Sequence, residues 1–354
     1  MSTVSAVPRP DPVQQVVHGL VLEPVVHRAA GPTGGDPALV AKHTQRLRDG
    51  VFRAAESRGQ VDQVFAELRD AGAEIIQPPQ ELDYLAPGYY SVGFRDPDGV
   101  PIEVMHRWDD LPEVRDAEQV RVPGHGVSLG GYFFKPVAGQ PPYPALILLH
   151  GFAGHAHNMV GLARAAAANG YAALALSLRG WLGSEGENDQ GLRQPLDILA
   201  AIDWLAKRPL VDRDRIALVG ASMGGQVALL AAAHKPPVRA VAAFFAPTDL
   251  ARWRDANPYM RDYLDDLCGP EGLPVRSPIL RVAQIDAPVL LLHGDRDENV
   301  PVEQSLAMAE SLRNHGKDAE AIVIPGATHY FTEQQNAAAR RTLFDFLRRH
   351  LTRS

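Results

Sequence analysis

The feature that most constrains this 354-residue chain is an alternation that begins near residue 119 and runs to the C-terminus. Short apolar runs at 145–149, 172–178, 215–219, 239–245, 288–292 and 320–324 read as strands buried on both faces. Helical segments at about 158–169, 192–207, 223–235, 303–315 and 335–350 separate them. Strand and helix in turn predict an α/β fold with a doubly wound, mostly parallel sheet covered on both faces. Two strands, 119–123 and 127–134, form an antiparallel start.

A different rhythm precedes it. Val51-Phe52-Arg53-Ala54 reads as a strand, and 61–71 carries apolar residues at 61, 64, 65 and 68, the helical spacing. Gly72 follows as a stop. Glu74-Ile75-Ile76 is a strand ahead of Pro78-Pro79, and Tyr89 to Phe94 and Val100 to Met105 are two more. Asp96-Pro97-Asp98-Gly99 between the last two is turn chemistry. The unit from 50 to 107 is thus a small α+β module of order βαβββ. Residues 1–40 are rich in Gly and Pro, with short strands expected only at Val16-Val17 and Leu20-Val21-Leu22. A polar linker at 107–118 divides the chain into domains 1–110 and 119–354.

Composition narrows the function. With 35 Lys and Arg against 42 Asp and Glu, and no basic block, the chain is a poor nucleic-acid or anionic-membrane binder. The single cysteine, Cys268, excludes an intramolecular disulfide and any multi-cysteine metal cluster. No apolar run approaches the roughly 20 residues of a membrane helix. The start, with Pro8, Pro10 and Pro12, lacks the apolar segment of a signal peptide. A cytoplasmic enzyme is the expectation.

Gly220-Ala221-Ser222-Met223-Gly224 is the sharpest local signal. It follows the strand 215–219 and opens a helix, so Ser222 falls on a tight strand-to-helix turn where side chains at the glycines have no room. A serine hydroxyl needs a base. Of 13 histidines, His329 fits best, in the loop between the strand 320–324 and the last helix. His293 at a strand end reads as structural, and His234, His315 and His350 stand at helix ends. The orienting carboxylate is Asp297, in Leu292-His-Gly-Asp-Arg-Asp-Glu-Asn-Val-Pro301 just past a strand end, with Asp295, Glu298 and Asp249 as rivals. The oxyanion donors are the amides of Met223, after the nucleophile, and Phe152, in His150-Gly-Phe-Ala-Gly154. The segment from Pro247 to Ala283 is read as long, irregular and partly aromatic (Trp253, Tyr259, Tyr263), either a lid or a surface excursion. Cys268 within it is expected to be inert.

Together these residues resemble the α/β-hydrolase superfamily over 119–354, closest to the catalytic domain of the prolyl oligopeptidase and acylaminoacyl-peptidase group. His150-Gly151, Leu178 to Gly186, Gly220 to Gly225, Arg276-Ser-Pro278, His293-Gly-x-x-Asp297-x-x-Val-Pro301 and His329 carry the likeness. The resemblance implies Ser222 as nucleophile, His329 as base then acid, Asp297 as its support, a small or medium ester or amide as substrate, and no cofactor. The chain has neither the length nor the repeat for the β-propeller usual in these peptidases. The dienelactone-hydrolase branch uses cysteine where Ser222 stands.

Residues 50–107 resemble one module of the vicinal-oxygen-chelate superfamily, through the strand–helix–three-strand order, Pro87-Gly88-Tyr89-Tyr90, and Phe94-Arg-Asp-Pro-Asp-Gly-x-x-x-Glu103-Val104. Active members hold a divalent metal with His and Glu from paired modules. Glu103 matches the carboxylate, but the histidine position falls near Asp49, and His18 and His27 are read as remnants of a ligand strand. Two readings stand. Either the unit is a metal-dependent lyase or dioxygenase with an accessory hydrolase, or it has lost its metal and serves docking, substrate gating or homodimer formation. The missing histidine favours the second.

Overall fold

The computed structural model describes residues 54–55, 58–81, 90–95, 101–106 and 113–352. These fall into two compact units, one ending near 106 and one spanning 113–352. Val16-Val17, Leu20 to Leu22, Val51 to Arg53 and the 96–100 turn lie outside the described residues.

The first unit runs β1 (Ala54–Ala55), α1 (Arg58–Asp70), β2 (Ile75–Glu81), β3 (Tyr90–Arg95) and β4 (Pro101–His106). The sheet order is β1-β4-β3-β2, with β1 parallel to β4 and the other pairs antiparallel. Val61, Val64 and Leu68 of α1 pack on Val92, Phe94 and Val104 of the sheet. The helix ends as the sequence predicts. Gly72 turns to φ 74°, its N–H donating to Arg69 O at 3.0 Å while that of Ala73 reaches Leu68 O at 2.9 Å, a pairing that satisfies two carbonyls of the last turn. One expectation fails: β2 does not stop before Pro78-Pro79 but runs through them. It is an edge strand with register shifts on both sides of Gln77, so the missing proline N–H groups interrupt no inner ladder.

The second unit begins with β5 (Glu118–Pro123), β6 (Ser128–Phe134) and β7 (Tyr143–Leu149). It continues α2 (Val160–Ala168), β8 (Ala172–Leu176), α3 (Gln194–Ala206), β9 (Val211–Ala221), α4 (Met223–Ala232) and β10 (Ala240–Phe244). Then come α5 (Leu250–Ala256), α6 (Pro258–Gly272), β11 (Val289–Gly294), α7 (Glu303–Asn314), β12 (Ala319–Ile324) and α8 (Glu333–Leu351). The sheet order is β12-β11-β10-β9-β7-β8-β6-β5; β5 and β6 pair antiparallel, as do β6 and β8, and the rest are parallel. This is the α/β-hydrolase arrangement with an antiparallel start.

Both faces are packed. Ala145, Ile147 and Leu149 of β7 point to one side, against Ile198 and Ile202 of α3, Val227 of α4 and Met308 of α7. Leu146 and Leu148 point to the other, against Val160 of α2 and Leu343 and Phe346 of α8. Burial on both faces is why these strands read as unbroken apolar runs rather than alternating ones.

The segment Pro247–Ala283 departs from the sequence reading: it is helical, not irregular. Asp249 Oδ1 accepts from Arg252 N at 3.1 Å to start α5, and Asn257 Oδ1 accepts from Met260 N at 3.2 Å to start α6. Gly269 (φ 60°) and Pro270 break α6 near its end. Among the described residues no helix is long and apolar enough to cross a membrane.

Candidate active site

The C-terminal ends of β7, β9 and β11 meet on one edge of the sheet, where open α/β sheets carry their chemistry. Ser222 stands between β9 and α4 with φ 50° and ψ −119°, a strained turn that a non-glycine residue holds only when its surroundings enforce it. They do so through backbone crowding. A Cβ on Gly220 would lie 2.2 Å from Gly224 O, and one on Gly224 would lie 2.3 Å from Leu149 O. Ser222 N donates to Phe244 O at 2.8 Å, and Ser222 O accepts from Gln226 N at 3.1 Å. The turn is tied to β7 and β10 at once, and its serine sits at the amino end of α4, where the helix dipole favours negative charge.

The loop after β7 is pinned by its histidine. Buried His150 places Nδ1 2.7 Å from Gly151 O, and its Nε2 accepts from Leu178 N at 2.9 Å. A carbonyl only accepts, so Nδ1 carries the hydrogen and the ring is neutral. A Cβ on Gly151 would approach Ser222 Cβ at 3.4 Å, which brings this loop against the serine. Phe152 follows, its ring 5.0 Å from that of Trp181 and 5.1 Å from that of Tyr263. Met223 is buried at the first position of α4. Phe152 thus lies in the loop after β7, and Met223 directly follows Ser222.

Asp297 lies past the end of β11 with no exposed side-chain surface. Its Oδ1 accepts from the amides of Asn299 at 3.0 Å and Val300 at 2.9 Å. Its Oδ2 accepts from His329 Nδ1 at 2.7 Å and lies 3.2 Å from His293 Nε2. Burial pushes this carboxyl up, but the charge of His329 and the hydrogen bonds from His293 and His329 outweigh it and hold the pKa at about 2. With Nδ1 engaged, His329 has Nε2 left to exchange a proton. Its ring packs on Phe245, 4.6 Å between centroids. Phe245 N bonds Leu292 O at 2.7 Å, and the preceding Phe244 holds Ser222 N, so β10 links the serine to the histidine.

The rival carboxylates are otherwise engaged or exposed. Asp295 Oδ1 accepts from Gly326 N at 2.6 Å, Asp249 caps α5, and Glu298 is exposed. His234 follows the far end of α4, about 15 Å of helix from Ser222. His315 closes α7 with Nδ1 against Ser311 O, and His350 packs at a tilt against Phe346 in α8. His293, read as structural, turns out to touch Asp297 directly.

Other site neighbours escaped the sequence reading. Tyr263 of α6 accepts at its hydroxyl from Asn188 Nδ2 at 2.8 Å and donates to Gln190 Oε1 at 3.2 Å. Gln190 Nε2 donates to Gln226 Oε1 at 2.9 Å, four residues after the serine. Gln226 in turn donates to Arg276 O at 2.8 Å. Trp181 Nε1 is buried without a hydrogen-bond partner. Cys268 rests its Sγ 3.4 Å from Leu264 O, and burial pushes its thiol pKa up, so it is a poor nucleophile.

Among the described residues no three His, Cys, Asp or Glu side chains gather as a metal site. Glu103 lies on β4 opposite Gly93, while Asp49, His18 and His27 lie outside the described residues.

Comparison with known proteins gives the family. The family model described as the prolyl oligopeptidase family matches residues 162–354, more than half of the chain. The chain belongs to the prolyl oligopeptidase family. A second model, the glyoxalase/bleomycin resistance protein/dioxygenase superfamily, matches residues 10–104 and so begins well ahead of the 50–107 unit. An uncharacterized peptidase of Bacillus subtilis (strain 168), YuxL, is 27% identical over 224 residues, covering 58% of this chain and 34% of its own. A puromycin-hydrolyzing peptidase of Mycobacterium tuberculosis superposes with a TM-score of 0.62 at 23% identity, over 76% of this chain and 45% of that one. A Pyrococcus furiosus esterase superposes at 0.58 with 22% identity, over 67% of this chain and 92% of the esterase. The chain thus spans about a third to a half of the two peptidases and nearly all of the esterase.

Proposed function

We propose that this family member is a serine hydrolase of small or medium esters or amides, working through an acyl-enzyme. The observation that carries the proposal is the buried Asp297–His329 hydrogen bond on the same sheet edge as the strained Ser222 turn. Ser222 Oγ attacks the carbonyl carbon as His329 Nε2 takes its proton. Asp297 supports the imidazolium, and the amides of Phe152 and Met223 receive the oxyanion. His329 then protonates the leaving alcohol or amine, and water repeats the cycle on the acyl-enzyme. The rings of Phe152, Trp181 and Tyr263 support an aromatic-walled pocket beside the serine, with the 247–283 helices as its cover. The fold shared with an esterase along nearly its whole length supports ester hydrolysis. The reading includes domains at 1–110 and 119–354 and a cytoplasmic setting, where a chain with one cysteine folds without disulfides. The test is turnover of p-nitrophenyl acetate and butyrate by Ser222→Ala, with fluorophosphonate labelling mapped by mass spectrometry. Loss of turnover and of label at Ser222 is expected; parental activity in the variant ends the proposal.

The glyoxalase-superfamily match supports a second reading, metal-dependent lyase or dioxygenase chemistry in the N-terminal unit. Turnover that is sensitive to EDTA and survives Ser222→Ala would favour it. A homodimer through this unit belongs to the same set of proposals and is read by light scattering.

A further inference from the structure

β11 is Val-Leu-Leu-Leu-His-Gly, an inner strand whose one polar side chain is His293. That side chain is 1% exposed. A buried imidazole is costly unless both nitrogens find partners, and a leucine would fill the same space without that demand. Both nitrogens here are occupied. Nε2 lies 2.7 Å from Val300 O and 3.2 Å from Asp297 Oδ2. Both of those atoms accept, so Nε2 must carry a hydrogen and donate. Nδ1 lies 2.7 Å from Ser305 Oγ, on the first turn of α7. In the neutral ring, Nδ1 accepts and the Ser305 hydroxyl donates. Strand, loop and helix are thereby joined through one ring: β11 supplies it, the 297–300 loop receives its proton, and α7 braces its other side.

The consequence falls on Asp297. Its Oδ1 is fixed by the amides of Asn299 and Val300, and its Oδ2 is shared between two histidines. His329 alone could follow a carboxylate that tilts. With His293 also on Oδ2, and with the Val300 carbonyl held by the same N–H, neither the carboxylate plane nor its loop can rotate freely.

We propose that His293, braced by Ser305, is a positioning residue for the hydrolytic site. It holds Asp297 so that His329 keeps the ring orientation and tautomer in which Nε2 faces the reaction. It touches no reacting atom. The inference rests on the serine-hydrolase reading above, and it assigns a working role to a side chain that sequence position alone marks as structural.

The test is steady-state kinetics of the full chain on p-nitrophenyl butyrate, with unfolding midpoints measured alongside. The variants are His293→Leu, His293→Gln, Ser305→Ala and the His293→Leu/Ser305→Ala pair, with Ser222→Ala as reference. The inference expects His293→Leu to lower kcat by roughly 10- to 100-fold with KM within about twofold, because orientation is lost while substrate contacts remain. His293→Gln carries an amide N–H to about the position of Nε2 and should recover kcat to within about threefold of the parent. Ser305→Ala should lower kcat by about threefold or more, and adding it to His293→Leu should cost nothing further, since the two act through one path. If His293→Leu fails to fold, Ser305→Ala and His293→Gln decide: parental kcat in Ser305→Ala overturns the inference. So does parental kcat in a folded His293→Leu, or an equal loss in the Leu and Gln variants. If Ser222→Ala keeps parental kcat, the serine-hydrolase reading falls and this inference with it. If Ser222→Ala is dead while a folded His293→Leu keeps parental kcat, only this inference falls.

Discussion

His329 Nδ1 donates to Asp297 Oδ2 across 2.7 Å, and the carboxylate it meets has no exposed side-chain surface. A buried acceptor at this distance fixes which imidazole nitrogen carries the proton. In Asp297→Asn the amide can turn its N–H toward Nδ1 and stabilise the other tautomer, in which Nε2 is already protonated and cannot take the serine proton. We expect kcat to fall by about 10³- to 10⁴-fold with KM nearly unchanged. Stopped-flow or steady-state assay on a p-nitrophenyl ester measures it, and a loss under about tenfold would mean that Asp297 does not govern the tautomer.

The same carboxylate makes stability depend on acidity. Its pKa is about 2 in the folded protein, despite burial, because of the two histidines, and is about 4 in an unfolded chain. A carboxyl depressed on folding stabilises the fold above its unfolded pKa, and that contribution is lost as pH falls through the folded value. The parent should therefore lose stability between about pH 4 and pH 2 through this group, and Asp297→Asn should lack that increment. Urea titrations at pH 5, 4 and 3 report it as a convergence of the two midpoints on acidification.

Much of the site was legible because local crowding dictates residue type. Gly220 and Gly224 could be read from sequence since no other side chain clears Gly224 O and Leu149 O. The strands were legible because burial on both faces removes polar residues from them. Choosing Asp297 over Asp295 was harder, as both lie in one loop; the deciding fact, that Asp295 is held by Gly326 N, is a contact between residues 31 apart. The 250–272 helices were missed although their start signals were present: Asp249, and Asn257 followed by Pro258 at the first helical position. Aromatic and charged residues in that stretch blurred its period. His293 reads as structural from its strand-end position, but its contact with Asp297 depends on how the loop after β11 folds back.

Two glycines give opposite expectations. At Gly224 an added methyl meets Leu149 O at 2.3 Å and His150 O at 2.5 Å, both backbone atoms that cannot swing away. Gly224→Ala should cost about 1–3 kcal/mol or more of stability and displace the serine, abolishing fluorophosphonate labelling. At Gly161, near the start of α2, an added Cβ meets nothing within 4 Å. Gly161→Ala should raise stability by up to about 1 kcal/mol by reducing the freedom of the unfolded chain. Denaturation midpoints with unchanged slopes test both.

Arg179 and Asp197 form a bidentate pair, Nε to Oδ2 at 2.6 Å and Nη2 to Oδ1 at 2.7 Å, with side chains 3% and 0% exposed. Asp197 Oδ1 also accepts from His125 N at 2.7 Å, so the pair ties the β5–β6 turn to α3. Removing one charge strands the other in the interior. Asp197→Ala should destabilise by about 3–5 kcal/mol, while Arg179→Met with Asp197→Leu should recover much of that loss. A double variant no more stable than Asp197→Ala would show that the hydrogen bonds to the turn, rather than the stranded charge, set the cost.

Tyr263 separates binding from chemistry. Its ring stands 5.1 Å from Phe152, while its hydroxyl accepts from Asn188 and donates to Gln190. Tyr263→Phe keeps the ring and removes both hydrogen bonds, each worth about 1 kcal/mol net. The residues released belong to the proposed pocket wall, not to the groups that transfer protons. Asn188 stays tied to Gln194 Nε2, and Gln190 to Gln226, so the wall should loosen rather than collapse. For p-nitrophenyl butyrate, KM should rise by about three- to tenfold with kcat within about twofold of the parent. Tyr263→Ala removes the ring as well, opening space beside Phe152, and should shift preference toward longer acyl chains. A panel of p-nitrophenyl esters from acetate to octanoate reads both effects. Unchanged KM in Tyr263→Phe together with an unchanged chain-length profile in Tyr263→Ala would remove α6 from the pocket.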